Sequence, residues 1–346
     1  MKDKVKVGIV GSAGYTGGEL LRVLIRHPHV EIVFAHSVSN AGNKVYAVHN
    51  DLFGDTELVF SAEFHSDVDI LFLCVGHGDA RKFLESNKAR IRPEVKIIDL
   101  SQDYRLKGHT SFLGHDFVYG LPELNREAIG AAHYIANPGC FATNLQLALL
   151  PLAEAGLLPD HIHVHAITGS TGAGQKPGPT SHFSWRNNNI SAYKVFTHQH
   201  LQEVSQSLEQ LQPGFLPRPT KTTEKDLLER AAEKISFVPQ RGDFPRGIFS
   251  SVTLKCDLSE AQAFELYTSY YATHPFTHVS EANIDLKQVV NTNKSLLHLV
   301  KKGQHLLILN ATDNLLKGAS GQAVQNMNLL FGMDEMSGLR LKSIGY

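Results

Sequence analysis

Two patterns of apolar positions run along the chain, and one gives way to the other near its middle. In the first part the apolar runs are short and almost unbroken, at Val5–Val10, Val30–Ala35, Asp67–Val75 and Val95–Leu100. Such runs suit strands covered on both faces, as in a parallel sheet flanked by helices. A stretch of helical apolar spacing, Glu19–Arg26, lies between the first two and stops at His27-Pro28. Later the rhythm changes. His161-Ile162-His163-Val164-His165-Ala166-Ile167 alternates polar and apolar with period two, which predicts a sheet with one face in water. Further strands are expected at Ile235–Val238, Gly247–Leu254 and Leu306–Asp313, and helices after His198, over Asp226–Lys234 and over Ala323–Phe331. The pattern predicts an α/β chain of two domains.

The turns carry the chemistry. The first strand runs into Gly11-Ser12-Ala13-Gly14-Tyr15-Thr16-Gly17-Gly18. Strand, glycine turn, helix and strand within about thirty residues make a unit that seats a dinucleotide pyrophosphate on a helix N-terminus. The glycine spacing is G-x-x-G-x-x-G rather than G-x-G-x-x-G; the plainer reading is a turn that needs glycine for packing alone. An NAD site calls for a carboxylate at the end of the second strand. Glu31 lies at that strand's start, and its end reads Ala35-His36-Ser37-Val38-Ser39-Asn40. Ser37 and Ser39 are small donors that accommodate a 2′-phosphate, so NADP is the expected cofactor. Gly76 and His77 follow the Asp67–Val75 strand at the carboxyl edge of the sheet, where ligands of such sheets bind.

A second turn is more specific. His133–Ala136 leads into Asn137-Pro138-Gly139, which breaks any regular element, and Cys140 then opens the apolar run Phe141–Leu152. A cysteine at a helix N-terminus meets unpaired N–H groups and the positive end of the macrodipole, which favour the thiolate and could hold an oxyanion. The alternative is an inert buried thiol. Cys74, inside a strand, and Cys256 read as structural. His198 and His200 precede a helix, where a histidine exposed enough to reach a neighbouring loop is the natural acid/base partner; a plain surface histidine is the other reading. Thr168–Pro177, with Ser170 and Lys176, is a small-residue loop suited to an anion. The three histidines of His161–His165 share a face, but no Cys or acidic ligand joins them at metal spacing, so no metal is expected.

Composition narrows the class. The chain has 346 residues, 42% hydrophobic and 19% charged, which is room for two cores. A net charge of −1 gives no reason to expect nucleic acid or an anionic membrane. The 3 cysteines imply no disulfide framework, and with no signal peptide or spanning run the expected location is the cytoplasm.

Taken together, Gly11–Gly17, Asp99-Leu100-Ser101-Gln102-Asp103-Tyr104-Arg105, Tyr119–Glu123, Asn137–Thr143, His198-Gln199-His200 and Lys317–Met327 resemble the N-acetyl-γ-glutamyl-phosphate reductases of the semialdehyde dehydrogenase group. The resemblance covers almost the whole chain. It implies a Rossmann domain over 1–142 with 314–346, including a C-terminal helix that returns to it. A glyceraldehyde-3-phosphate-dehydrogenase-like α+β domain over 143–313 would provide catalysis and oligomerisation, as a homodimer or tetramer. It implies Cys140 as nucleophile and His198 as acid/base. Asn314 joins the cofactor set, and Asn137, Arg105, Ser170, Lys176 and Arg246 the substrate set. Gln199 stands where the family usually has Arg, and Gly76 where it has Pro. Aspartate-semialdehyde dehydrogenase, a non-catalytic nucleotide sensor and a zinc protein are the competing readings.

Overall fold

The computed structural model describes residues 4–108, 111–219, 221 and 223–345. The chain divides into two compact units, Met1–Pro138 with Ala319–Arg340 and Gly139–Gly318 with Leu341–Tyr346. The division differs from the expected one in that residues 139–142, 314–318 and 341–346 go with the second unit.

In the first unit the strands are β1 (Val5–Val10), β2 (Val30–His36), β3 (Phe60–Ser61), β4 (Ile70–Leu73), β5 (Lys96–Asp99), β6 (Ser111–Phe112), β7 (His115–Tyr119) and β8 (Tyr134–Ala136). They form one sheet in the order β3-β2-β1-β4-β5-β8-β7-β6, parallel throughout except for β6 on β7. All four residues of β4 are buried, as their unbroken apolar run requires. The strand order reverses beside β1, which places a crevice at the carboxyl ends of β1 and β4. The helix Tyr15–Leu24 begins four residues before the expected Glu19. Gly17 and Gly18 lower helix propensity, yet packing demands them. A Cβ on Gly17 would lie 2.5 Å from the Ser12 Cα, and one on Gly18 2.4 Å from the His49 ring. The C-terminal helix Gly321–Leu330 belongs to this unit and packs on the helices Pro122–Ala131 and Tyr15–Leu24.

The second unit holds β9 (Ile162–Thr168), β10 (Ser191–Ala192), β11 (Ile235–Arg241), β12 (Ile248–Lys255), β13 (Thr277–Ser280), β14 (Ser295–Lys302) and β15 (His305–Thr312). Their sheet runs β10-β11-β9-β12-β15-β14-β13 and mixes parallel and antiparallel pairs. Along β9 the side chains alternate as the sequence predicts, with His163 and His165 exposed. The helix Cys140–Glu154 covers part of the sheet and is buried from Phe141 through Ala153. Pro151 lies inside it and leaves the Leu147 carbonyl without its usual N–H partner. The Tyr271 hydroxyl donates to that carbonyl instead, and Tyr267 donates to the Ala148 carbonyl at 2.6 Å. The proline is therefore tolerated by tertiary packing. Asn144 and Asn310 exchange side-chain-to-backbone hydrogen bonds at 3.3 and 2.7 Å, tying the helix to β15. Among the described residues no helix is long and apolar enough to cross a membrane.

Candidate active site

Cys140 is the first residue of its helix, Gly139 is the N-cap, and no side chain caps the terminus. The positive end of the helix therefore acts on the sulfur. Two glycines make room around it. A Cβ on Gly139 would stand 2.3 Å from His200 Nε2, and one on Gly318 2.9 Å from the Cys140 Cβ. The Gly139 N–H donates to Glu203 Oε2 at 2.9 Å, and the Gly318 N–H to the Asp313 carbonyl at 2.9 Å. The turn is thus gripped by the helix His200–Leu211 through Glu203.

The histidines correct one expectation. Neither is a surface residue: His198 is 4% and His200 7% exposed. His198 packs edge-on against Phe141 and Phe237, and burial followed by the neighbouring His200 pushes its pKa down to about 2. Its Nδ1 accepts the His200 backbone N–H at 3.2 Å. A neutral ring that accepts at Nδ1 carries its proton on Nε2, so His198 is a donor at that atom. His200 instead has its Nε2 against Gly139 and 3.9 Å from Glu203 Oε1, an ion pair once the ring is protonated.

Tyr193 completes this neighbourhood. Burial, and then the Cys140 charge, push its phenol up. Its ring meets His198 edge-on, and the Arg241 guanidinium lies 4.6 Å from its centroid.

The nucleotide turn is built in the first unit. Gly11 has φ +77°, and a Cβ there would strike the Cys74 carbonyl at 2.5 Å. Gly14 is different, since a Cβ would meet only the Gly11 carbonyl at 3.7 Å. The helix starting at Tyr15 has no side-chain cap, so its N–H groups are presented across an open face. Ser12 is spent on the turn itself, donating to the His36 carbonyl at 2.9 Å, and Ser320 donates to the Thr16 carbonyl at 2.8 Å. Ala13, the turn's remaining residue, adds no polar side chain. At the end of β2, Asn40 donates to Ser37 Oγ at 3.3 Å and to Ser39 Oγ at 3.1 Å, while Glu31 is exposed at the strand's start. These residues fit a dinucleotide: an uncapped helix for the pyrophosphate, and hydroxyls without a carboxylate beyond β2.

Comparison with known proteins agrees with this division of labour. Residues 6–132 match the NAD-binding domain of semialdehyde dehydrogenases, and residues 140–314 match the dimerisation domain of the same family. N-acetyl-gamma-glutamyl-phosphate reductases of Phocaeicola vulgatus and Bacteroides fragilis are 55% identical over 98% of this chain and 98% of their own. That of Flavobacterium johnsoniae is 51% identical over 99% of this chain and all of its own. The chain belongs to the N-acetyl-gamma-glutamyl-phosphate reductase family. Among solved structures, aspartate semialdehyde dehydrogenase II of Vibrio cholerae gives a TM-score of 0.71 at 17% identity, covering 96% of this chain and 99% of that one. The Candida albicans aspartate semialdehyde dehydrogenase with NADP gives 0.65 at 14%, covering 95% and 99%. At those identities the likeness shows the fold alone.

The other residues expected of a reductase of this family fall in varied places. Asn137 is buried in the first unit, donating to the Ala319 carbonyl at 3.1 Å and accepting from Asn326 at 3.1 Å. Arg105 is buried there too, with Nε on the Asn137 carbonyl at 2.9 Å and Nη2 on the Leu100 carbonyl at 2.8 Å. Gly76 and His77 lie exposed beyond β4, His77 Nδ1 accepting the Gln102 N–H at 3.2 Å. In the second unit Arg246 forms a two-pronged pair with Asp313, at 3.1 Å from each oxygen. Asn314, expected to touch the cofactor, accepts from the Gly247 N–H at 2.7 Å and donates to Thr171 at 3.0 Å. Ser170 begins a short 3₁₀ turn through Ala173, and Lys176 is exposed in the following loop. Arg105, Arg246 and Asn314 thus each hold protein groups. Cys74 and Cys256 are buried, and burial drives the Cys74 thiol strongly up, as a structural thiol requires. Glu203, Tyr193 and Arg241 were not anticipated. The signal for Glu203 was present, since it follows His200 by three positions and shares its helix face.

Proposed function

We propose that the chain reduces N-acetyl-γ-glutamyl phosphate, or a related N-acyl form, to the 5-semialdehyde and phosphate with NADPH, in arginine biosynthesis. The observation that carries this reading is Cys140 at an uncapped helix start, with two buried histidines around its turn. The lack of an acid at the end of β2, where Ser37, Ser39 and Asn40 cluster, supports NADP over NAD.

The chain's own groups suit each step. His200, beside the Glu203 carboxylate, takes the thiol proton, and the helix N-terminus steadies the Cys140 thiolate. The thiolate attacks the acyl carbon, phosphate leaves, and a thioester on Cys140 remains. Bound NADPH supplies the hydride. The resulting oxyanion receives hydrogen bonds from His198 Nε2–H and from the helix N–H groups. Collapse expels the Cys140 thiolate, frees the aldehyde, and returns the proton from His200 to sulfur. On this reading the acid/base role expected of His198 is shared with His200, since the His200 N–H on Nδ1 leaves His198 a donor at Nε2. Likeness to the family's dimerisation domain supports a homo-oligomer, a dimer or tetramer, and the reaction fits the cytoplasm.

The test is turnover of purified protein with N-acetyl- and N-succinyl-glutamate semialdehyde, phosphate and either NADP or NAD. Phosphate-dependent oxidation with a higher kcat/KM for NADP is expected. Activity on aspartate semialdehyde alone, or none on any of the three aldehydes, would contradict the reading.

A further inference from the structure

Near the Cys140 helix, Arg241 is a cation that touches the Tyr193 side chain and pairs with no carboxylate among the described residues. Arg186, Arg241 and Arg246 of the second unit differ in their partners. Arg246 is neutralised by Asp313. Arg186 is buried and gives its N–H groups to the carbonyls of Thr180, Asn189 and Arg241 and to the Ser191 hydroxyl. Arg241, the last residue of β11, has no carboxylate within ion-pair distance among the described residues, and its Nε is buried without an acceptor. A buried donor on a charged group normally finds an acceptor. Arg241 and Arg186 also lie close enough to repel each other.

The position of this charge is informative. The guanidinium sits 4.6 Å from the centroid of Tyr193, the Tyr193 ring meets His198 at 5.8 Å, and His198 meets Phe141, the residue after Cys140, at 5.4 Å. The cation therefore lies beyond Tyr193 and His198 from the start of the Cys140 helix. A group bound there is remote from the carbon under attack, which excludes the departing phosphate and fits a carboxylate at the far end of the substrate. The planar fork of Arg is suited to a carboxylate, and the Tyr193 ring fixes its orientation.

We propose that Arg241 is the anchor for a carboxylate of the substrate, holding it across Tyr193 from Cys140. Deepening the functional reading above, this inference concerns which group fixes the substrate. The carboxylate has two sources, the α-carboxylate present in every N-acylglutamate and the terminal carboxylate of a dicarboxylic N-acyl group such as succinyl.

Arg241→Gln, measured with both semialdehydes, should raise KM roughly ten- to a hundred-fold, the usual weight of a charged hydrogen bond. kcat should stay within a few-fold. Arg241→Lys should recover part of the loss. A rise with both substrates assigns the α-carboxylate, and a rise with the N-succinyl substrate alone assigns the acyl carboxylate. Calorimetric binding of N-acetylglutamate and N-succinylglutamate to the same proteins reads the anchor without turnover, so it stands even if the wild type oxidises neither semialdehyde. Arg241→Met keeps the apolar stem against Tyr193 and repeats the test should Gln unsettle β11. Unchanged KM and unchanged dissociation constants for both ligands in a folded variant would overturn the assignment, as would a loss confined to kcat.

Discussion

Two turns in this chain share one construction, and they differ in what fills the space in front of it. The helices Tyr15–Leu24 and Cys140–Glu154 each follow a strand, each has glycine as N-cap, and neither is capped by a side chain. At Gly14 the space a Cβ would occupy is open, with nothing nearer than 3.7 Å, so an anion from outside can reach the N–H groups. At Gly139 the same space is taken by His200 Nε2 at 2.3 Å, and the first helical residue is itself the anion-forming group. An uncapped helix terminus is thus a general device for stabilising negative charge. Whether it serves a ligand or the protein's own sulfur depends on which side chains are folded over it.

The sharpest break of that comparison is Cys140→Ala, which should abolish turnover while the NADPH dissociation constant, read by fluorescence titration, stays near wild type. The histidines come next. His200→Gln removes the proton acceptor and should lower kcat by about 10²–10⁴. His198→Gln retains an N–H donor of similar reach and should lose far less. The reverse ranking would return the acid/base role to His198. Smaller again is the contrast between the two N-caps. Gly139→Ala must displace His200 and should cost roughly a hundred-fold in kcat, the penalty of an ångström-scale misplacement. Gly14→Ala fits its space and should act on cofactor affinity alone. Equal effects on kcat from both would mean that the turns do not differ in this way.

The smallest effect concerns pH. His198 is held far below its unfolded value, so the unfolded chain binds the extra proton and His198 withdraws stability as pH falls below about 6.5. Asp99 in the first unit has the opposite sign. Burial raises its pKa to about 6, so acidification below that value relieves a buried charge. Melting between pH 7 and 5 should therefore fall less in His198→Asn than in wild type, and more in Asp99→Asn.

Much of this was legible in the residues. The unbroken run at β4, the alternation at β9 and the glycine turn each stand where the pattern puts them, because burial on two faces, on one face, or in a tight turn selects residues locally. What stayed hidden was decided by distant partners. Gly17 and Gly18 read as loop until Ser12 and His49 are seen pressing on them. That the helix runs through Pro151 is legible in the apolar run, but not that Tyr271 takes up the freed carbonyl. The burial of His198 is hidden in the sequence because the Phe141 and Phe237 that cover it lie 57 and 39 positions away. Arg241 has no local mark at all, since what sets it apart is that no carboxylate among the described residues pairs with it.

The central claim is that Cys140 carries the acyl group, and intact-mass measurement tests it most directly. Protein mixed with the acyl phosphate in the absence of nicotinamide should gain the mass of a single N-acylglutamyl group, mapped by proteolysis to Cys140 and absent from Cys140→Ala. An unmodified wild-type chain, or the same adduct on the variant, would contradict the account.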